Sequence, residues 1–189
     1  MLSLSKLKSE IFQIHSEKKF QTLALKVFQF QYANNSLYRS YCQHLQIDPE
    51  KVQRIAQIPF LPVDLFRNFK VVTGQSSISK VFASSGTTGQ ATSHHHIADV
   101  QLYEQSFTEG FKLFYGEPEK YCLLALLPSY LEQQQSSLVY MTAQLIKKTK
   151  HPDSGFYLYE HETLYKKLLA LRTLNQPTIL LGVTYALLD

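Results

Sequence analysis

Apolar positions in the first part of the chain recur at helical spacing. In EKKFQTLALKVFQFQYANN, residues 17–35, Phe20, Leu23, Ala24, Val27 and Phe28 fall on one stripe with Gln31, which predicts an amphipathic helix. Leu37, Tyr41 and Leu45 then repeat every four residues after Ser36, a candidate cap. Asp48 followed by Pro49 pairs a capping side chain with a proline at the first helical position, so a short helix is expected near 49–57. Pro59 and Pro62, in IPFLPVDLF, end the helical region and favour extended or turn backbone before each ring.

From residue 69 the period changes. FKVVT (69–73) and ISKVFAS (78–84) read as strands. ADVQLYEQSFTEGFKLF (98–114) carries Leu102, Phe107, Phe111 and Phe114 on a helical stripe, read as core, with Asp99 as a candidate cap. YCLLALL (121–127) is a continuous apolar run suited to a strand buried on both faces. SSLVYMTAQLIKK returns to helix, GFYLY to strand, HETLYKKLLALRTL to helix and TILLGV to strand. Strands alternating with helices of this length imply crossover units. The expected fold is α/β: an N-terminal helical region, 1–57, followed over 58–189 by an incomplete doubly wound domain with a mainly parallel sheet. GVTYALLD opens what reads as another helix just as the sequence ends, so the chain reads as part of a longer protein and is not expected to complete a reaction alone.

Composition narrows the class. Of 189 residues 44% are hydrophobic and 18% charged, enough to bury a core and too ordered a mixture for a disordered chain. The formal charge is +4, but basic pairs such as Lys18-Lys19 and Lys147-Lys148 alternate with acids. No continuous basic stripe points to nucleic acid. Cys42 and Cys122 form neither a disulfide framework nor a zinc pattern. Lysines at 6 and 8 interrupt any leader-like run, and no apolar run approaches a membrane span. A cytoplasmic setting is expected.

The candidate chemistry lies in VFASSGTTGQATSHHH, residues 81–96. No lysine follows Gly86 or Gly89 as a Walker loop requires, and the dinucleotide pattern is absent. What remains is Ser84, Ser85, Gly86, Thr87, Thr88 and Gly89. Glycines let successive amides converge on one anion, and hydroxyls add short donors. Chemistry alone leaves a phosphate cradle and a plain hairpin turn both open.

SSGTTG resembles the phosphate loop of the adenylate-forming superfamily, which includes acyl- and aryl-CoA ligases. LPSYLEQQQSSLVYM (127–141), LLGVTYALLD (180–189) and IPFLPVDLFRNFKV (58–71) resemble, in order, stretches of the LuxE-type acyl-protein synthetase family. That resemblance implies activation of a fatty acid by ATP with Mg²⁺ to an acyl-adenylate, then transfer to an enzyme cysteine. It implies that Ser84 to Gly89 wrap the ATP phosphates. It places Pro128, Ser129 and Tyr130, with Gly182 and Thr184, at a cleft beyond strand ends, lining the acyl pocket. A protein subunit that donates or accepts the acyl group is an implied partner; light emission is not implied.

The match has departures. Gln90-Ala91 stands where many adenylate-forming enzymes carry Pro-Lys, so charge compensation must come from Mg²⁺ or elsewhere. The family's acyl-accepting cysteine, ribose-binding acid and C-terminal lysine have no counterpart here, and no catalytic residue is assigned. A phenylacetate-type CoA ligase and a noncatalytic nucleotide- or acyl-binding module remain alternatives. His94 and His96 share one face of an extended segment and His95 the other, which suits a polar strand flanking the loop better than a metal site; none is assigned. Cys122 reads as a small buried hydrophobe and Cys42 as an unremarkable thiol among polar helical neighbours. Tyr130 suits a substrate stack or a plain interface role equally. Asp64 and Arg67 read as loop-anchoring groups.

Overall fold

Helix ends in the N-terminal part are set by short polar side chains. In a computed structural model describing residues 4–74, 77–84, 92–128 and 132–188, α1 spans Leu4–Glu10. Ser16 then accepts a bond from Lys19 N and opens α2, Glu17–Asn34, with Glu17 complementing the positive helix end. The next cap is Asn35 rather than Ser36. Its side chain accepts from Tyr38 N to start α3, Ser36–His44, while its own N–H closes α2 on Gln31 O. One buried residue thus turns the chain between two helices.

Phe28, Tyr38, Cys42 and Val52 form the core between these elements. Phe28 and Tyr38 meet edge to face at 6.2 Å, an arrangement that aligns the positive ring edge with the negative face. Tyr38 also donates to Pro59 O at 2.8 Å, pinning the proline segment, and burial raises its phenol well above the ordinary range. Cys42 is fully buried here, which corrects its placement among polar neighbours. Residues 49–57 form two 3₁₀ turns, Pro49–Lys51 and Ile55–Gln57, instead of one helix.

FKVVT is not a strand. A single-turn helix, α4, spans Leu65–Asn68. Beyond it, Thr73 Oγ1 donates to Gln31 Oε1 at 2.7 Å and Gly74 N to Asn34 O at 2.8 Å. The end of the segment is thus tied to α2 by one side-chain and one backbone hydrogen bond. β1, Lys80–Ala83, pairs antiparallel with β2, His94–Ile97, from Lys80↔Ile97 to Ala83↔His94. Asp99 then accepts from Leu102 N near the start of α5, Val100–Tyr115, and is ion-paired to Lys8.

The chain divides into two compact units, 1–102 and 103–189; the expected boundary between residues 57 and 58 falls inside the first. The second unit is built on β3, Cys122–Leu126, whose five residues are all buried. α6, Ser137–Thr149, leads to β4, Gly155–Phe156, and α7, His161–Thr173, leads to β5, Thr178–Gly182. The three strands are parallel in the order β4-β3-β5. Cys122, Leu124 and Leu126 pack with Leu164, Leu168 and Leu171 of α7. Leu123, Ala125 and Leu127 pack with Leu145 and Ile146 of α6 and with Phe107 and Phe111 of α5. Period-2 alternation on a strand apolar throughout therefore supplies both faces, each covered by helices. This is double winding over three strands. Phe114, expected in the core stripe, is 80% exposed, and GFYLY contributes only two strand residues.

Candidate functional site

The first site candidate is the connection between β1 and β2. An antiparallel register running from Lys80↔Ile97 to Ala83↔His94 continues to Ser84 opposite Ser93. There Ser84 N donates to Ser93 O at 3.0 Å. Ser93 N and Ser93 Oγ both approach Ser84 Oγ, at 3.1 and 3.0 Å. SSGTTG is thus carried by a hairpin whose base is locked by two serines. Ser85 to Gly89 lie outside the described residues. Ser84 is exposed and Ser93 is buried. The sequence marks Ser93 only as a second serine at the far end of the loop; antiparallel pairing makes it the partner of Ser84. Hydroxyl donors without fixed charge suit phosphate oxygens.

The histidines of β2 divide between the two faces of the hairpin. His95 stacks on Phe66 of α4, ring centroids 4.7 Å apart and nearly parallel at 17°. His94 is exposed, and His96 Nδ1 is buried without a hydrogen-bond partner among the described residues. No group of three His, Cys, Asp or Glu able to hold a metal occurs among the described residues. Arg67 pairs with Asp64 at 3.4 Å on the surface, as a local i,i+3 contact.

The second candidate lies in the sheet of the C-terminal unit. β3 sends its chain toward α6 on one face. β5 leads into α8, Thr184–Leu188, whose Ala186 packs in the cluster on the other face. Neighbouring parallel strands whose connections leave to opposite faces create a topological switch point, and the crevice opens at their carboxyl ends. Leu126↔Gly182 is the last pair of the β3–β5 ladder. Pro128 and Thr184 each follow two residues on, Pro128 half-buried and Thr184 exposed. The structure therefore brings Pro128, Gly182 and Thr184 to one sheet end, while Ser129 and Tyr130 lie outside the described residues. Gly182 also has a packing reason to be glycine: a Cβ there would stand 3.0 Å from Leu126 Cβ and from Leu187 Cγ and Cδ2.

Both thiols are fully buried, and burial raises the pKa of each. Cys122 is further engaged by Ser154, whose hydroxyl lies 3.9 Å from its sulfur. Neither is placed to act as a nucleophile, which needs exposure and a stabilised thiolate.

The model of the acyl-protein synthetase family, LuxE, matches residues 6–182. The chain belongs to that family. The match runs through both units and includes the hairpin loop and both strands of the switch point. Membership in LuxE assigns the chain to the acyl-protein synthetases, which are ligases acting on an acid and a protein acceptor. No curated protein and no solved structure gives a match. No helix among the described residues is long and apolar enough to cross a membrane.

Proposed function

We propose that this LuxE-family protein activates a fatty acid with ATP to an acyl-adenylate and passes the acyl group to a protein cysteine. LuxE membership over 6–182 carries the reading. In this reading Ser84 to Gly89 bind the triphosphate through amides and hydroxyls. Mg²⁺ supplies the positive charge that Gln90, in place of a lysine, does not. The chain's own part is to hold the phosphates and the carboxylate in fixed geometry, since displacement at phosphorus depends on orientation and on charge stabilisation. Pro128, Ser129, Tyr130, Gly182 and Thr184 line the acyl side, where the switch point supports a ligand crevice. The three-stranded unit is read as part of an adenylate-forming large domain. The accepting cysteine in this reading is neither Cys42 nor Cys122, given their burial.

The test is MgATP binding by calorimetry together with fatty-acid-dependent ATP–pyrophosphate exchange. Replacing Thr87 and Thr88 by Val keeps shape and removes two donors. A hydrogen bond to a charged oxygen contributes about 1.5–3 kcal/mol, so each lost hydroxyl is expected to weaken MgATP binding by roughly tenfold or more. Unchanged affinity in the double variant would remove the loop from the nucleotide site. Absence of MgATP binding by the unaltered protein would overturn the reading.

A further inference from the structure

We infer that a binding site lies within the first unit, beside α3, and takes a small organic phosphate: a phosphate monoester with a compact apolar body. The inference is independent of the nucleotide reading, since no residue of the β1–β2 hairpin takes part. An open cavity of about 340 Å³ is lined there by Ser36, Leu37, Ser40, Phe69 and Lys70, a volume at the low end for small-molecule pockets. Ser36 and Ser40 stand one turn apart on one face of α3. Threonines inside the helices of this chain turn their hydroxyls back onto the carbonyl four residues earlier, as Thr22, Thr108, Thr142 and Thr173 do. The two serines do not. Among the described residues neither hydroxyl has a hydrogen-bond partner, and Lys70 has no ion pair. No acidic residue occurs in α3 or in residues 69–74, and Asp64, the acid nearest Lys70 in sequence, is paired with Arg67.

The walls of the cavity are held from several sides. Asn35 already caps α3 through Tyr38 N at 3.1 Å, so the site rests on the side chains along the helix and on Lys70, not on the helix end. Phe69 N donates to Leu65 O at 2.9 Å, and Thr73 and Gly74 are tied to α2, which fixes the backbone on both sides of Lys70. A lysine brings a compact charge with three rotatable donors, and each hydroxyl adds one more. Three such groups suit the terminal oxygens of a phosphate monoester, whereas a carboxylate is matched best by the planar fork of arginine. Leu37, half-buried, and Phe69, 49% exposed, supply apolar surface for the body of the ligand. That surface contributes nothing to bare phosphate, so the ester is preferred over the ion.

Phenyl phosphate is the probe, titrated into the 189-residue protein and followed by amide chemical shifts, with inorganic phosphate and benzoate titrated in parallel. Saturating shifts are expected at Ser36, Leu37, Ser40, Phe69 and Lys70, with inorganic phosphate binding more weakly. Lys70→Met is expected to weaken binding about tenfold. Ser36→Ala and Ser40→Ala should each weaken it about three- to tenfold, because water replaces a lost donor in an open cavity. All three side chains are exposed, so the melting temperature should stay unchanged in these variants. Replacing Thr87 and Thr88 by Val should leave the shifts and the affinity as they are. Absence of shifts at the cavity overturns the inference, as does undiminished binding by Lys70→Met. So do shifts that lie elsewhere and vanish in the Thr87 and Thr88 variant, which would place the probe on the hairpin. Benzoate binding as tightly as phenyl phosphate overturns the phosphate assignment, and inorganic phosphate binding as tightly overturns the apolar body.

Discussion

Gly182 shows how one residue can carry two requirements. It closes β5 at the carboxyl end of the sheet, and its missing side chain leaves room for Leu126 and Leu187. A methyl group added there meets Leu126 Cβ at 3.0 Å, and a Cβ on a paired strand cannot swing away. Leu187, 46% exposed on α8, can. Gly182→Ala is therefore expected to destabilise the protein by about 1–3 kcal/mol, the usual cost of overpacking, read as a lower urea midpoint. Adding Leu187→Ala should recover part of the loss but not all of it, because the Leu126 contact remains. Full recovery would show that Leu187 alone sets the limit, and no loss in Gly182→Ala would remove the packing argument. The sequence displays this glycine at a strand end but not its contact with Leu126, which comes from a strand more than fifty positions earlier.

At the level of elements, capping decides where the helices of the first unit begin, and the prediction there concerns Asn35. Ser36 and Asn35 are both good caps by type. Asn35 prevails because its backbone can also end α2, and two helices then share one turn. Asn35→Ala is expected to cost about 1–2 kcal/mol, whereas Ser36→Ala, on an exposed first-turn position, should be near neutral; thermal melts of the two variants distinguish them. Equal losses would return the cap to Ser36. The same contrast explains what was legible. β3 could be read because seven consecutive apolar residues suit a strand covered on both faces, and α2 because its stripe is long. FKVVT misled because its β-branched valines carry strand propensity, while the Thr73 side chain and the following Gly74 N–H are tied to α2, and propensity yields to tertiary context. Phe114 misled because it continues the stripe of Phe107 and Phe111, which pack on the core, yet is itself exposed. Of the site, the loop's residue types were visible, whereas the Ser84–Ser93 lock required knowledge of register.

For the molecule as a whole, the ionisable groups share a direction that fixes its response to pH. Burial raises Tyr38, Tyr103, Tyr157, Cys42 and Cys122, and hydrogen bonds to Glu117 and Asp153 raise Lys112 and Lys167. Asp99 is lowered, chiefly by its hydrogen bond from Lys8. A group whose folded pKa is raised gives stability that is complete below the unfolded value and lost as pH climbs through the folded one. In that window the unfolded chain releases protons that the folded chain retains, so unfolding becomes more favourable with pH. The thiols set the onset near pH 8.5–9, and the phenols and lysines steepen the fall around 10. Asp99 acts oppositely: its contribution is present above about pH 4 and fades below. Melting temperature is thus expected to hold from about pH 5 to 8 and to drop steeply beyond 9, with the acid side declining more gently. Phenolate absorbance followed along the same series should show the buried tyrosines ionising together with unfolding instead of before it. Tyr38→Phe should flatten the alkaline limb while lowering stability at neutral pH through loss of the bond to Pro59 O. A melting temperature unchanged up to pH 11, or phenolate appearing fully in the folded protein, would show that these groups are not held neutral by the fold.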